Sequence, residues 1–310
     1  MTCINIPVRI SVILCTYNSE KTLQRALDSV VAQEGINKDF EVELIVVDDC
    51  STDRTREILG KNNIDFVALP ENSGGPNKGR NIGLEKATGD FICIMDHDDE
   101  WLSDRLISLL SVRHLAPVIT SGYTVIFQKQ NRSTERRNRS RDDSGYIFYE
   151  KNVTFLSTLT RSSQGQSSYI GSVMFDKSLK HLRFEEYFGQ MDYDWGLKLF
   201  EGNCSVEICR SLYKRYVEDF NLSLNSQYRT KDFYYSLMTL DHYSEKYPQQ
   251  VRVGYKRLYG SRARYFYLSG NMKRARFHFI RSGWNMVTLM YYLTSFAGSK
   301  FIKKRFTVFG

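Results

Sequence analysis

Apolar and polar positions alternate in blocks along the first hundred residues. Arg9 to Cys15 is a short β-branched run that stops at the polar Thr16-Tyr17-Asn18-Ser19, the pattern of a buried strand entering a loop. Between Glu20 and Gln33 the residues Leu23, Ala26, Leu27, Val30 and Val31 recur at helical spacing, with Ser19 placed as N-cap. Glu41 to Val47 predicts a second strand ending in Asp48-Asp49-Cys50-Ser51-Thr52-Asp53. A polar helix follows from Thr52 to Gly60, and a third strand spans Asp65 to Leu69. Asn72 to Gly79, with three glycines and a proline, predicts a loop before a helix over Asn81 to Ala87. A fourth strand, Phe91 to Met95, runs into Asp96-His97-Asp98-Asp99.

This alternation predicts a mainly parallel sheet with helices on both faces, because parallel crossovers need an intervening helix. Ligands of such sheets bind beyond the carboxyl ends of the strands. The three polar clusters at 16–19, 48–53 and 96–99 all lie there, although the outer two are about 80 residues apart in sequence. Downstream the pattern weakens. Gln128 to Asp143 is polar and carries Arg132, Arg136, Arg137, Arg139 and Arg141 without periodicity, and reads as an inserted loop. Tyr169 to Phe175 predicts a strand, and Asp192 to Phe200 an amphipathic helix. From Lys231 onward the signal is helical, with Arg262 to Ser282 resembling one helix–turn–helix repeat around Ser269-Gly270-Asn271, where Ala275 is a small packing residue.

Composition sets outer bounds. With 310 residues, 42% hydrophobic, 25% charged and five prolines, the chain is an ordered protein of two domains or one with an appendage. The expected division is a sheet domain over 1–225 and a helical region over 226–310. The net charge of +8 favours an anionic partner. Cys3, Cys15, Cys50, Cys93, Cys204 and Cys209 form no C-x-x-C pair and several sit in apolar runs, the usage of a reducing compartment. No secretory signal is visible and Trp284 to Ala297 is too short and polar to span a bilayer, so a cytoplasmic protein is expected. The Asn-x-Ser/Thr triplets at Asn131 and Asn152 are then without meaning. No nucleic-acid module is recognisable, and the arginine-rich stretch lacks interleaved aromatics, so no nucleic-acid partner is expected.

The chemistry concentrates in Asp96-His97-Asp98. Two carboxylates in one crevice repel unless a cation compensates, and Mg²⁺ or Mn²⁺ takes one or two protein carboxylates while substrate phosphates complete its shell. Read together with Val12-Ile13-Leu14-Cys15-Thr16-Tyr17-Asn18, Val46 through Asp53, and Gly79-Arg80-Asn81-Ile82-Gly83-Leu84 leading through Gly89-Asp90-Phe91-Ile92, the chain resembles the family 2 glycosyltransferases from about Arg9 to Asn225. These are inverting enzymes with the Rossmann-like GT-A fold.

The resemblance implies a nucleotide-sugar donor, UDP first among them. Tyr17 and Asp49 would contact base and ribose, with Thr16 and Asn18 nearby. Asp98 would be the direct ligand of Mg²⁺ or Mn²⁺, with Asp96 beside it facing the sugar or ribose and also a candidate ligand. Lys78 and Arg80 are candidate phosphate partners, His97 is a spacer, and Asp99 is placed to cap a helix at Trp101. The general base falls on Asp192 within Gly189-Gln190-Met191-Asp192-Tyr193-Asp194-Trp195, where Met191 stands in place of the family's glutamate and Asp194 either compensates or faces solvent. The family's downstream histidine is missing from Val217 to Ser223, leaving Glu218 or Asp219 as substitutes. Basic and aromatic residues interleave in the tail from Phe296 to Phe309, which suits either an anionic lipid surface or burial against earlier helices. The expected activity is transfer of a sugar to a glycan or lipid-linked glycan of a bacterial surface polysaccharide such as lipopolysaccharide or capsule, with peripheral association at the inner membrane. The alternative left by Met191 and the missing histidine is a catalytically silent nucleotide-sugar-binding protein; a sugar nucleotidyltransferase is disfavoured because Thr16-Tyr17-Asn18 replaces its glycine-rich first loop.

Overall fold

The computed structural model describes residues 7–140, 144–162, 165–167, 169–189, 191–217 and 226–298. The chain divides into two compact units, residues 1–155 with 164–225 and residues 156–163 with 226–310.

The first unit is built on one mixed sheet. Its strands are β1 (Val8–Thr16), β2 (Phe40–Asp48), β3 (Phe66–Ala68), β4 (Phe91–Asp96), β5 (Glu100–Trp101), β6 (Val118–Phe127), β7 (Arg132–Arg136), β8 (Tyr146–Tyr149), β9 (Val173–Asp176) and β10 (Ser205–Val217). The order is β3-β2-β1-β4-β9-β6-β10-β5, with β7 on β6 and β8 on β10. Strands β3, β2, β1 and β4 are parallel, as the strand–helix alternation predicts. Beyond them β9 runs antiparallel to both β4 and β6, so the sheet is not parallel throughout. The register decides where the polar clusters go: Thr16 pairs with Asp48 and Cys15 with Asp96. All three clusters therefore leave the sheet at one level along one edge.

Helices α1 (Leu23–Val31), α2 (Thr55–Lys61), α3 (Pro76–Lys86), α4 (Arg105–Ser111), α5 (Val153–Leu159) and α6 (Tyr193–Phe200) follow the strands. Because successive side chains of a strand point to opposite faces, the two sides of β1 have different partners. Val12 and Leu14 join Leu23, Ala26, Leu27 and Val30 of α1 and Leu59 of α2 in the main core. Ile13 and Cys15 face α3, whose Gly83 and Gly79 have no room for a Cβ: one at Gly83 would lie 2.3 Å from Ile13 Cγ2, and one at Gly79 would lie 2.9 Å from Cys15 Sγ. Helices thus cover both faces.

Several boundaries move. Helix α1 starts at Leu23, and Ser19 serves the turn through its carbonyl, which accepts from the Thr22 and Leu23 N–H groups at 3.0 and 2.9 Å, rather than as a side-chain cap. The predicted loop 72–79 ends early, because Pro76 opens α3; proline at a first helical position gives up no hydrogen bond. Asp99 does not cap a helix, since Trp101 lies in β5 and the next helix begins at Arg105. The arginine-rich stretch contains β7, paired antiparallel with β6 from Tyr123–Arg136 to Phe127–Arg132. Only Thr134 of β7 is shielded, so this edge strand carries no alternation to detect. Arg141 lies outside the described residues. Ile170–Ser172 forms a single 3₁₀ turn before β9 in place of a longer strand.

The second unit contains α7 (Ser226–His242), α8 (Pro248–Leu268), α9 (Met272–Arg281) and α10 (Met286–Thr294). Ala263, Phe266, Tyr267, Ala275 and Phe279 form its small core. The predicted turn is present: Gly270 adopts φ +88°, and Asn271 Oδ1 caps α9 by accepting from Arg274 N at 3.2 Å.

Candidate active site

The β1 and β2 ends are tied by one carboxylate. Asp48 is fully buried and accepts from Thr16 Oγ1 at 3.0 Å, Ser51 N at 3.1 Å, Ser51 Oγ at 2.5 Å and Arg56 Nε at 2.6 Å. Four donors use up the capacity of a carboxylate, so Asp48 and Thr16 are scaffold. Asn18 turns the chain at φ +46°; its N–H donates to Ser51 Oγ at 2.9 Å and its Oδ1 accepts from Thr52 N at 2.9 Å. These bonds leave Tyr17 exposed at the strand end. Asp49 N–H donates to the Thr16 carbonyl at 2.8 Å, and the Asp49 carboxylate accepts from Ser73 N at 2.8 Å and Asn72 Nδ2 at 3.1 Å. Burial raises the Asp49 pKa; the Ser73 bonds oppose it, Asp48 adds to it, and the charge of Lys78 pulls it back. Lys78 therefore belongs to this corner of the site.

At the end of β4 a second group forms. Asp96 Oδ1 accepts from Arg80 Nη2 at 2.9 Å and Oδ2 from the Tyr169 hydroxyl at 3.2 Å. Arg80 is buried on α3, and although burial works against its charge, Asp96 and then Asp192 act on the guanidinium and the pKa is raised. One cation thus senses carboxylates separated by almost a hundred residues of sequence. Asp99 is buried and accepts from Tyr213 Oη at 2.6 Å, Tyr169 Oη at 3.0 Å and Tyr216 N at 2.9 Å. It fastens β10 to the end of β4. Asp98 is half-buried, and burial raises its pKa, with His97 opposing and Asp96 reinforcing the rise. The Asp98 carbonyl accepts from Arg25 Nη2, whose guanidinium also stacks 3.7 Å from the Tyr216 ring centroid. His97 is half-buried rather than exposed, and its Nδ1 lies 3.3 Å from Thr22 Oγ1 just before α1.

Asp192 immediately precedes α6 and is half-buried. Its segment is held by Asn77 in the first turn of α3. Asn77 N donates to Gly189 O at 3.0 Å, and its side-chain amide donates to Glu185 O at 3.0 Å and Met191 O at 2.9 Å. Arg80 Nη1 donates to Asn77 Oδ1 at 3.3 Å, so the clamp and the buried cation are linked. Met191 is buried and contributes its backbone carbonyl to this clamp. Asp194 is buried and paired with Lys198 at 2.6 Å, so it does not face solvent. Gln190, Glu218 and Asp219 lie outside the described residues.

No cluster of three His, Cys, Asp or Glu suited to a metal occurs among the described residues. Asp96 is engaged by Arg80 and shares the single Tyr169 hydroxyl proton with Asp99, whereas the Asp98 carboxyl is destabilised as an anion by burial and by Asp96, which a cation would relieve. The site therefore fits a metal held by one protein carboxylate and completed by a phosphate-bearing ligand, the usual manner of Mg²⁺. Asn77, Asn72, Ser73 and Tyr169 were not legible as site residues. Each acts through hydrogen bonds to groups remote in sequence, and Asn72, Ser73 and Asn77 fell in the supposed loop.

Comparison with known proteins identifies the family and the fold. The family description "Glycosyl transferase family 2" matches residues 11–173, just over half of the chain and short of Asp192. Staphylococcus aureus (strain Mu50) poly(ribitol-phosphate) β-N-acetylglucosaminyltransferase TarS is 45% identical over 96 residues, 30% of this chain and 16% of that protein. A Campylobacter jejuni GalNAc(5)-diNAcBac-PP-undecaprenol β-1,3-glucosyltransferase is 30% identical over 197 residues, 60% of this chain and 58% of that protein. The matched stretches thus span less than two thirds of either relative. The crystal structure of TarS 1–349 superposes with TM-score 0.63 at 22% identity, covering 93% of this chain and 80% of that one. The same fragment is known with UDP-GlcNAc and superposes with TM-score 0.55 at 17% identity, covering 96% and 92%. A GT-A sheet, and a family match from the middle of β1 into β9, make this chain a member of glycosyl transferase family 2.

Proposed function

We propose that the protein is an inverting glycosyltransferase that moves a sugar from a nucleotide sugar, a UDP-sugar first, to a hydroxyl of a glycan or lipid-linked glycan in bacterial surface-polysaccharide synthesis, at the cytoplasmic face of the inner membrane. One observation carries the reading: Asp96 and Asp192 act on the same buried Arg80, so a carboxylate and a metal-type Asp-x-Asp turn share one crevice at the sheet edge. The poly(ribitol-phosphate) and PP-undecaprenol in the names of TarS and the Campylobacter relative support the acceptor class, and the UDP-GlcNAc complex of TarS supports the donor class.

In this reading the exposed Tyr17 ring stacks on the base and Asp49, held by Asn72 and Ser73, accepts from the ribose. Lys78 and Arg80 supply positive charge toward the diphosphate. Asp98 would hold Mg²⁺ or Mn²⁺, which when bound stabilises the negative charge of the departing diphosphate. Asp192 accepts the proton of the acceptor hydroxyl while its oxygen forms the new bond to the anomeric carbon. The carbon–oxygen bond to the nucleotide breaks on the opposite face, and its electron pair leaves with the diphosphate.

Two substitutions test the roles. Asp192→Asn preserves UDP-sugar affinity and lowers turnover by roughly 10²–10⁴-fold, the usual contribution of a positioned base; near-normal turnover removes Asp192 from the role. Asp98→Ala abolishes the Mn²⁺ dependence of UDP affinity measured by calorimetry, and an unchanged metal dependence refutes the ligand assignment. A wild-type protein that binds UDP with Mn²⁺ yet neither hydrolyses nor transfers from any of a broad donor panel would favour the catalytically silent alternative.

A further inference from the structure

Helix α10 leaves an apolar face to solvent. Thr288, 7% exposed, and Ser295, just beyond its end and 1% exposed, turn inward with the Tyr291 and Tyr292 rings that pack on the small core, while Met286 is 73% and Leu293 59% exposed. Trp284, Leu289, Met290 and Phe296 continue the same outward surface. A surface helix normally buries its apolar stripe, and a continuous exposed apolar surface marks an interaction site.

The charge around it is equally one-sided. Residues 246–310 contain 14 of the 43 Lys and Arg and none of the 35 Asp and Glu; the last acidic residue of the sequence is Glu245. One of these cations borders the apolar surface directly: the Arg276 guanidinium lies 4.6 Å from the Phe296 ring centroid. Long basic side chains at the rim of an apolar surface can rest their stems on it and keep their heads in a polar layer. No described helix is long and apolar enough to cross a membrane.

We propose that α10, with Trp284 and Phe296 at its ends and Arg276 at its rim, is a docking face for an anionic lipid bilayer, lying in the plane of the headgroups. An apolar face alone would suit many partners; an apolar face within a segment of 65 residues free of acidic groups is complementary to a surface that is apolar beneath and negative above. The assignment gives a physical surface to the membrane location proposed above, and its test does not involve sugar transfer.

The full chain is mixed with vesicles of phosphatidylcholine alone or with phosphatidylglycerol, and binding is read by co-sedimentation and tryptophan emission. Trp101 and Trp195 are each 2% exposed, so of the three tryptophans Trp284 reports contact. The expected result is binding to the anionic vesicles with a blue shift, weakened by high salt and absent with phosphatidylcholine. Met286→Ser with Leu293→Ser abolishes the shift without changing the melting temperature. Arg276→Gln weakens partitioning by roughly fivefold, the contribution of one cation near the surface. Equal binding to neutral vesicles, no binding, or an unshifted emission overturns the proposal. So does a dimer in sedimentation equilibrium that the Met286→Ser, Leu293→Ser variant dissociates, which would assign the face to a second copy of the chain.

Discussion

Asn77 shows what a single side chain contributes here. It is fully buried, bonds the carbonyls of residues 185 and 191, and accepts from Arg80. Asn77→Ala leaves carbonyls unpaired in the interior and is expected to cost about 1–3 kcal/mol of stability by chemical denaturation. It should also lower turnover more than UDP affinity, because the segment displaced is the one leading to Asp192 rather than the strand ends that receive the nucleotide. Equal losses in both would show that Asn77 serves folding alone. The aspartates themselves were legible because acidic residues at the carboxyl ends of predicted strands stand out in a linear reading. Asn77 was not: its partners are backbone carbonyls more than a hundred residues away, and no pattern of residue types announces them.

Among the elements, the early strands and helices were readable from periodicity, since each buries one consistent face. Failures fall where an element lacks such a face, as in β7, or where proline and glycine belong to a helix start, as in α3. The α8–α9 pair adds a pH effect. His278 lies against Phe266, Phe233 and Tyr259, with ring centroids 5.3, 5.4 and 5.7 Å away. Burial, then Arg262, Arg281 and Arg274, lowers its pKa from 6.5 to about 4. The unfolded chain therefore takes up a proton near pH 6.5 that the folded helices refuse until about pH 4. Its contribution is intact above the upper value and is lost as the solution is acidified toward the lower. Melting followed by helical circular dichroism should show this decline, and His278→Phe should flatten it.

For the whole molecule, the net charge of +8 conceals a division. Residues 1–155 with 164–225 carry −6, and residues 156–163 with 226–310 carry +14. At low ionic strength the acidic unit of one molecule attracts the basic unit of another, so light scattering should report self-association that physiological salt, with a Debye length of about 8 Å, disperses. Persistence at high salt would point to apolar contact instead. Neither the sign nor the place of this division is visible in the total composition; it emerges only once the chain is partitioned into its units. Such a molecule does not meet a negative plane evenly: the plane attracts one unit and repels the other before any atom makes contact, so the diffusional search begins from a restricted set of encounters.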